Sequence, residues 1–207
     1  MFAPQQPAPR CSEASADGSP LQTTDGDLDL RQAFALDQLD ASIWSTAARL
    51  QLLDLSGAPL WSSGVARVAD AVQRMPQLRA LALSDVHLAH MPVGESGGRT
   101  TDLSGAAALS KSLHDRFSSG AAVAALETLD LSCNSLDTAA LQAALGCVRG
   151  LTALDVRQNR LKGRAAAAEL RAVARRNELQ QLRTAANGVD VVRHASCCPT
   201  LTCTGYC

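Results

Sequence analysis

LETLDLSCNSL at residues 126–136 and LTALDVRQNRL at 151–161 are two copies of one pattern, L-x-x-L-x-L-x-x-N-x-L. The pattern recurs without its asparagine as LQLLDLSGAPL at 50–60 and LRALALSDVHL at 78–88, and a fading copy, LQQLRTAANGV, occupies 179–189. The copies begin at 50, 78, 126, 151 and 179, so the steps are 28, 48, 25 and 28 residues. Self-similarity at such a period marks stacked units that bury their apolar faces against one another. In L-x-L the two leucines point to one side of a strand and the residue between them to the other. Stacked copies therefore predict a parallel sheet with a leucine spine. A further degenerate copy at 25–36, DGDLDLRQAFAL, places Leu28 and Leu30 at the strand positions.

Asn134, Asn159 and Asn187 fill the ninth position, where a side-chain amide can satisfy neighbouring backbone groups and turn the chain. Ala58 and Val86 stand there in the first two copies, so the polar ladder is expected to be weaker in the N-terminal half. Helical periodicity fills the intervals between the copies. Val65, Val68, Val72 and Met75 define one face, ended by Pro76; Ala106, Leu109, Leu113 and Phe117 define the next. Asp137 is the expected cap of a third helix running through Leu141, Leu145 and Val148 to Gly150. Ala166, Leu170 and Val173 face inward in a fourth, with Asn177 at its end.

Composition agrees with this order. Hydrophobic residues make up 46% and charged residues 19%, a globular balance, but aromatics only 3%. The core must be filled by 30 Leu and 37 Ala, which favours many thin, similar layers. No run approaches the ~18 apolar residues that a membrane span requires. The N-terminus lacks the apolar stretch of a secretory signal and is too acidic for a transit peptide. Net charge is −1, which argues against a nucleic-acid binder. Seven cysteines, an odd number, fit a reducing, cytoplasmic setting.

The five units and segments such as GAAALSKSL at 105–113 resemble the leucine-rich repeat family, in its ribonuclease-inhibitor-like subclass with long helix-bearing repeats. The resemblance covers about residues 50 to 189. It implies an α/β fold, a short leucine-rich repeat solenoid whose curved parallel sheet carries helices on the convex side. It also implies a non-enzymatic protein-binding scaffold or adaptor that works through the concave face. The alternative within the same subclass is a GTPase-activating protein, although those members have more repeats and a strongly acidic tail.

The chain divides accordingly. Residues 1–24, rich in Pro, Gln, Ser and Asp, are expected to be disordered. Residues 25–49 form an N-terminal capping layer or degenerate repeat, since a stack of layers needs a covered end. Residues 50–189 are the repeats, with a loop insertion at 89–102, and 190–207 form a cysteine-rich tail. Trp44 and Trp61 are read as fillers of the cap and the first layer, with interface anchors as the alternative. In the tail, Cys197, Cys198, Cys203 and Cys207 are read as unstructured thiols; a metal clip with His194, oxidation and acylation are alternatives.

Candidate chemistry is sparse. His87, His90 and His114 lack the acidic or cysteine partners of a zinc site and are read as solvated loop histidines. Cys133 and Cys147 are read as small packing residues. No phosphate-binding loop, nucleophile elbow or zinc-protease signature occurs, so no catalytic residue, cofactor or metal is assigned. Charge is more informative. The residues between the paired leucines are Asp29, Asp54, Ala82, Asp130, Asp155 and Arg183. Asp54, Asp130 and Asp155, with Arg157 and Arg183, are the candidate partner-binding residues. The carboxylate column is expected to be solvated and to favour a protein partner with a basic surface. Residues 149–183 hold nine basic and three acidic residues, Arg164, Arg171, Arg175 and Arg176 among them, read as a solvated helix face.

Overall fold

The computed structural model describes residues 23–24, 27–29, 47–90, 101–118, 125–188 and 202–204. Strands β1 (Thr23–Thr24), β2 (Asp27–Asp29), β3 (Leu52–Asp54), β4 (Ala80–Ala82), β5 (Thr128–Asp130), β6 (Ala153–Asp155), β7 (Gln181–Arg183) and β8 (Thr202–Thr204) form one sheet. Their order in the sheet is their order in the chain. β1 and β2 are antiparallel, and every later pairing is parallel. Helices α1 (Trp61–Val72), α2 (Ser104–Ser118), α3 (Thr138–Leu145) and α4 (Gly163–Asn177) follow β3 to β6 in turn. Parallel neighbours require such crossovers, because a strand must return to the same end of the sheet before the next can start.

The register reproduces the sequence pattern. Leu28, Leu53, Leu81, Leu129, Leu154, Leu182 and Cys203 align across the strands. Leu53, Leu81, Leu129, Leu154 and Leu182 lie in one core with Val65, Val68, Leu109, Leu141, Leu170 and Val173 from the helices. The helices therefore cover the leucine side of the sheet and leave the other side to the residues between. Two segments behave differently from expectation. Thr23–Thr24 falls in the stretch read as disordered, and Thr202–Thr204 falls in the tail read as unstructured, yet both are strands. Thr residues favour the pleated conformation, and each pair or triplet meets an open strand edge. Trp44, Cys197, Cys198 and Cys207 lie outside the described residues.

Hydrogen bonding between units extends beyond the three-residue strands. Gln51 O accepts from Arg79 N and Ala80 N, and the arrangement repeats at Arg79 O, Glu127 O and Thr152 O. Beyond the strands, Gly57 N, Asp85 N, Cys133 N and Gln158 N donate to Ser84 O, Ser132 O, Arg157 O and Ala185 O. Gly57, Asp85, Cys133, Gln158 and Ala186, each just before the ninth position, all have positive φ. Only one is glycine; the other four hold a conformation that costs an L-residue roughly 1 kcal/mol or more. The asparagines offset this. Asn134 Oδ1 accepts from Val86 N and Leu88 N at 3.0 and 3.2 Å, and Asn159 Oδ1 accepts from Asn134 N and Leu136 N at 3.1 and 2.8 Å. Asn187 Oδ1 accepts from Leu161 N at 3.2 Å. Each asparagine thus serves the unit before its own. Where Val86 stands instead, Ala58 N and Leu60 N turn to the local carbonyls Leu55 O and Ala58 O.

The helices differ in detail from the sequence reading. α3 is capped as expected, with Asp137 accepting from Ala140 N at 2.9 Å, but it ends at Leu145. Val148 stays buried in the following turn, and Gly150 takes φ +85, where a Cβ would meet the Phe117 ring at 3.3 Å. Phe117 does not face the core: it is 53% exposed, and Arg116 is buried in its place. Arg116 reaches into the open end of α1 and donates to Val72 O, Met75 O, Pro76 O and Leu78 O. Val72 O closes α1 and the other three lie in the turn that follows; Val72 O and Met75 O also accept from Met75 N and Leu78 N, so Arg116 ties the whole turn together, and burial lowers the Arg116 pKa. Arg176 likewise donates to Leu145 O at the end of α3, at 2.6 Å. α1 and α2 meet at Gly105, where a Cβ would stand 2.2 Å from Ser62 O. Gly105 N donates to Ser62 Oγ at 2.7 Å, and Ser112 Oγ to Ala69 O at 2.7 Å.

Candidate functional site

On the helix-free side of the sheet, the residues between the leucines form one continuous column. Asp54, Ala82, Asp130, Asp155 and Arg183 align strand by strand, and the backbone register continues to Asp29 and Thr204. Neighbouring strands are about 4.8 Å apart, so the column is a ruled surface of known spacing. A second column, Leu52, Ala80, Thr128, Ala153 and Gln181, runs beside it.

The electrostatics of the column differ from the sequence expectation. Asp54 and Asp155 are not solvated; each is 7% exposed. The reason is local geometry. Asp54, Asp130 and Asp155 each turn Oδ1 back to the backbone N–H two residues on, at Ser56, Ser132 and Arg157, with distances of 2.9, 2.8 and 3.0 Å. Such bonds are the ordinary behaviour of aspartate at a strand-to-turn junction. The carboxylates close the turn as well as carrying charge.

Asp155 is also neutralised by arginine. Arg157 Nε donates to Oδ1 and Oδ2 at 3.0 and 2.9 Å, and Arg157 Nη2 lies 2.8 Å from Oδ2. Arg183 Nη1 stands 3.7 Å from the same oxygen. The hydrogen bond to Asp155 raises the Arg157 pKa, partly opposed by desolvation. The Asp155 side chain is 10% exposed, whereas Arg157 and Arg183 are 45% and 50% exposed. At this end of the face the two arginines are more exposed than Asp155, while half-exposed Asp130 on the neighbouring strand also acts on Arg157. The sequence, which shows residue types and not their burial, could not separate the sheltered acid from the exposed bases.

The other candidates are dispersed. His87 stacks against Trp61 with ring centroids 4.5 Å apart, both half-buried and both at positive φ. His90 is half-buried, with Nδ1 2.8 Å from Ala89 O, so neither histidine is a solvated loop residue. His114 is exposed on α2. Among the described residues no three His, Cys, Asp or Glu side chains converge on one point. Cys147 is exposed and not a packing residue, because α3 has already ended two residues earlier. Cys133 is half-buried and its Sγ donates to Gln158 Oε1 at 2.7 Å. The insertion leaves through a bridge between His90 and Thr101, and residues 91–100 lie outside the described residues. On α4, Arg164 and Arg175 are exposed, while Arg171 and Arg176 are half-buried against neighbouring structure.

No helix among the described residues is long and apolar enough to cross a membrane. Comparison with protein-family models and with curated proteins gives no match to this chain.

Proposed function

We propose that this chain is a leucine-rich repeat solenoid of the ribonuclease-inhibitor-like type, and that it acts as a non-enzymatic scaffold binding a protein partner on the helix-free sheet face. The family reading is supported by the recurrence of strand, turn and helix at the spacing of the sequence copies, with one leucine register and an inter-unit asparagine ladder. The single observation that carries the binding reading is the in-register column on that face. It is backed by a hydrogen-bonded frame, so its side chains are ordered before a partner arrives and less entropy is lost on association. Thr128 and Gln181 are exposed beside the column and Ala80 and Ala153 half-exposed, which leaves area for contact.

Affinity capture from cell lysate, followed by mass spectrometry, tests this with two bulky substitutions. Thr128→Trp obstructs the open face, and Ala168→Trp obstructs the exposed side of α4. The reading expects Thr128→Trp to lose the captured protein and Ala168→Trp to keep it, at equal melting temperature. The opposite pattern places the working surface on the helices. Stimulation of GTP hydrolysis in a panel of small GTPases would replace the scaffold by a GTPase activator.

A further inference from the structure

Resting on the sheet-face reading above, we propose that the partner is docked through an acidic segment, whose carboxylates are received by Arg157 and Arg183. The sequence alone suggests the reverse polarity, and burial is what inverts it. Asp155 sits beneath the two arginines with 10% of its side chain exposed, against 45% and 50% for Arg157 and Arg183. Its carboxylate fixes the Arg157 guanidinium through three contacts of 2.8–3.0 Å and leaves Arg183 a single long contact of 3.7 Å. One guanidinium group, in the turn after β6, is thus oriented by a buried backstop, and the other, on β7, has most of its donor capacity unspent. Planar, preoriented guanidinium groups are well matched to carboxylates.

The cations are not required by the fold. The positions equivalent to Arg157 in the preceding units are Ser56, Ser84 and Ser132, and in the following unit Ala185. The same turns therefore form with small uncharged residues. Arg160 and Lys162 are exposed in the turn between β6 and α4, where the equivalent turn after β5 carries Ser135 and Asp137. Asp137, the acidic neighbour across that step, is engaged as the cap of α3. The positive edge is a local property of one unit. A short protein segment suits it better than a nucleic acid, because two arginines on neighbouring units about 4.8 Å apart can serve one or two carboxylates but not a run of phosphates, and the chain as a whole carries −1.

The test uses the full chain and fluorescence anisotropy with three labelled probes: a glutamate-rich peptide, a lysine-rich peptide of equal length and a single-stranded oligodeoxynucleotide. The glutamate peptide should bind at low salt, weaken as salt is added, and be preferred to both others. Arg157→Gln with Arg183→Gln should weaken it at least about tenfold, while Arg157→Lys with Arg183→Lys should fall between. If the glutamine pair unfolds because Asp155 loses its counter-charges, adding Asp155→Asn removes that charge and keeps the acceptor for Arg157 N. Preference for the lysine peptide or the oligonucleotide overturns the proposal, as does a glutamate peptide bound equally well by the folded glutamine variant. Lysate capture separates the two levels. Loss with Thr128→Trp but not with the glutamine pair removes the acidic partner and leaves the docking face standing; indifference to both removes the docking face itself.

Discussion

Replacing Asn159 isolates the asparagine ladder from the leucine core. The side chain is 8% exposed and makes five bonds: Oδ1 accepts from Asn134 N and Leu136 N, and Nδ2 donates to Leu131 O, Val156 O and Arg157 O. In Asn159→Ala the amides of Asn134 and Leu136 lose an acceptor in a site closed to water. Each such buried donor costs about 1–3 kcal/mol, so a loss of about 3–5 kcal/mol is expected with little apolar area changed. Asn187→Ala is the internal comparison, since Asn187 is half-buried and, among the described residues, accepts from Leu161 N only; about 1–2 kcal/mol is expected. Asn159→Asp separates the two edges of the amide. It keeps the acceptor toward the preceding unit but aims a carboxylate at three carbonyl oxygens. Its folded-state pKa must rise above the unfolded value, so the variant is most stable below the ordinary carboxyl range and loses stability as pH rises from there through the raised folded value. Urea unfolding followed by circular dichroism at several pH values measures all three. Equal losses for Asn159→Ala and Asn187→Ala, or an Asn159→Asp variant insensitive to pH, would refute the ladder as an energetic element.

Three further outcomes follow from the helices. Gly105→Ala should destabilise by about 1–3 kcal/mol or more in thermal unfolding, because the new methyl group can be housed only by moving α1 and α2 apart. Arg116→Met keeps the aliphatic stem but removes the side-chain donor from four carbonyls in the turn after α1, of which Val72 O and Met75 O keep a backbone donor; a loss of about 2–4 kcal/mol by urea midpoint is expected. Asp102 accepts from Ser104 N at 2.9 Å at the start of α2, and hydrogen bonds from Ser104 lower its pKa. Its contribution is therefore present above the ordinary carboxyl range and lost as pH falls through the lowered folded value. The difference in urea midpoint between the parent and Asp102→Asn should shrink toward strong acid.

The strand positions were legible because L-x-L is a statement about one side of a strand: Leu53, Leu81, Leu129, Leu154 and Leu182 are all buried, and so are Val156 and Thr184 where the second leucine is replaced. The asparagine slot was legible for the same reason, since a side-chain amide recurring at a fixed step can serve a neighbouring backbone. Arg116 was not. Helical spacing marked Phe117 for the core, but α1 exposes carbonyls one step away, and only a long side chain with several donors can meet them. The pairing of Asp155 with Arg157 lay two residues apart in the sequence. Its consequence, a sheltered acid under exposed bases, depends on how the turn folds the carboxylate back onto Arg157 N. Thr23–Thr24 and Thr202–Thr204 are not legible because two or three residues hold no periodicity; a neighbouring edge, and not their own pattern, makes them strands.

The direction of the asparagine ladder bears on synthesis. Val86 N and Leu88 N are met by Asn134, Leu136 N by Asn159, and Leu161 N by Asn187, so the acceptor always arrives later than the donors. As the nascent chain leaves the ribosome, the most recent turn to emerge holds open amides until the next unit is made. Between the Val86 turn and Asn134 that wait is longest, since the step there spans 48 residues. A growing chain would thus carry one unfinished turn that moves toward the C-terminus as translation proceeds. A pause in translation between residues 88 and 134 would hold it at its most exposed, where a chaperone has the longest access.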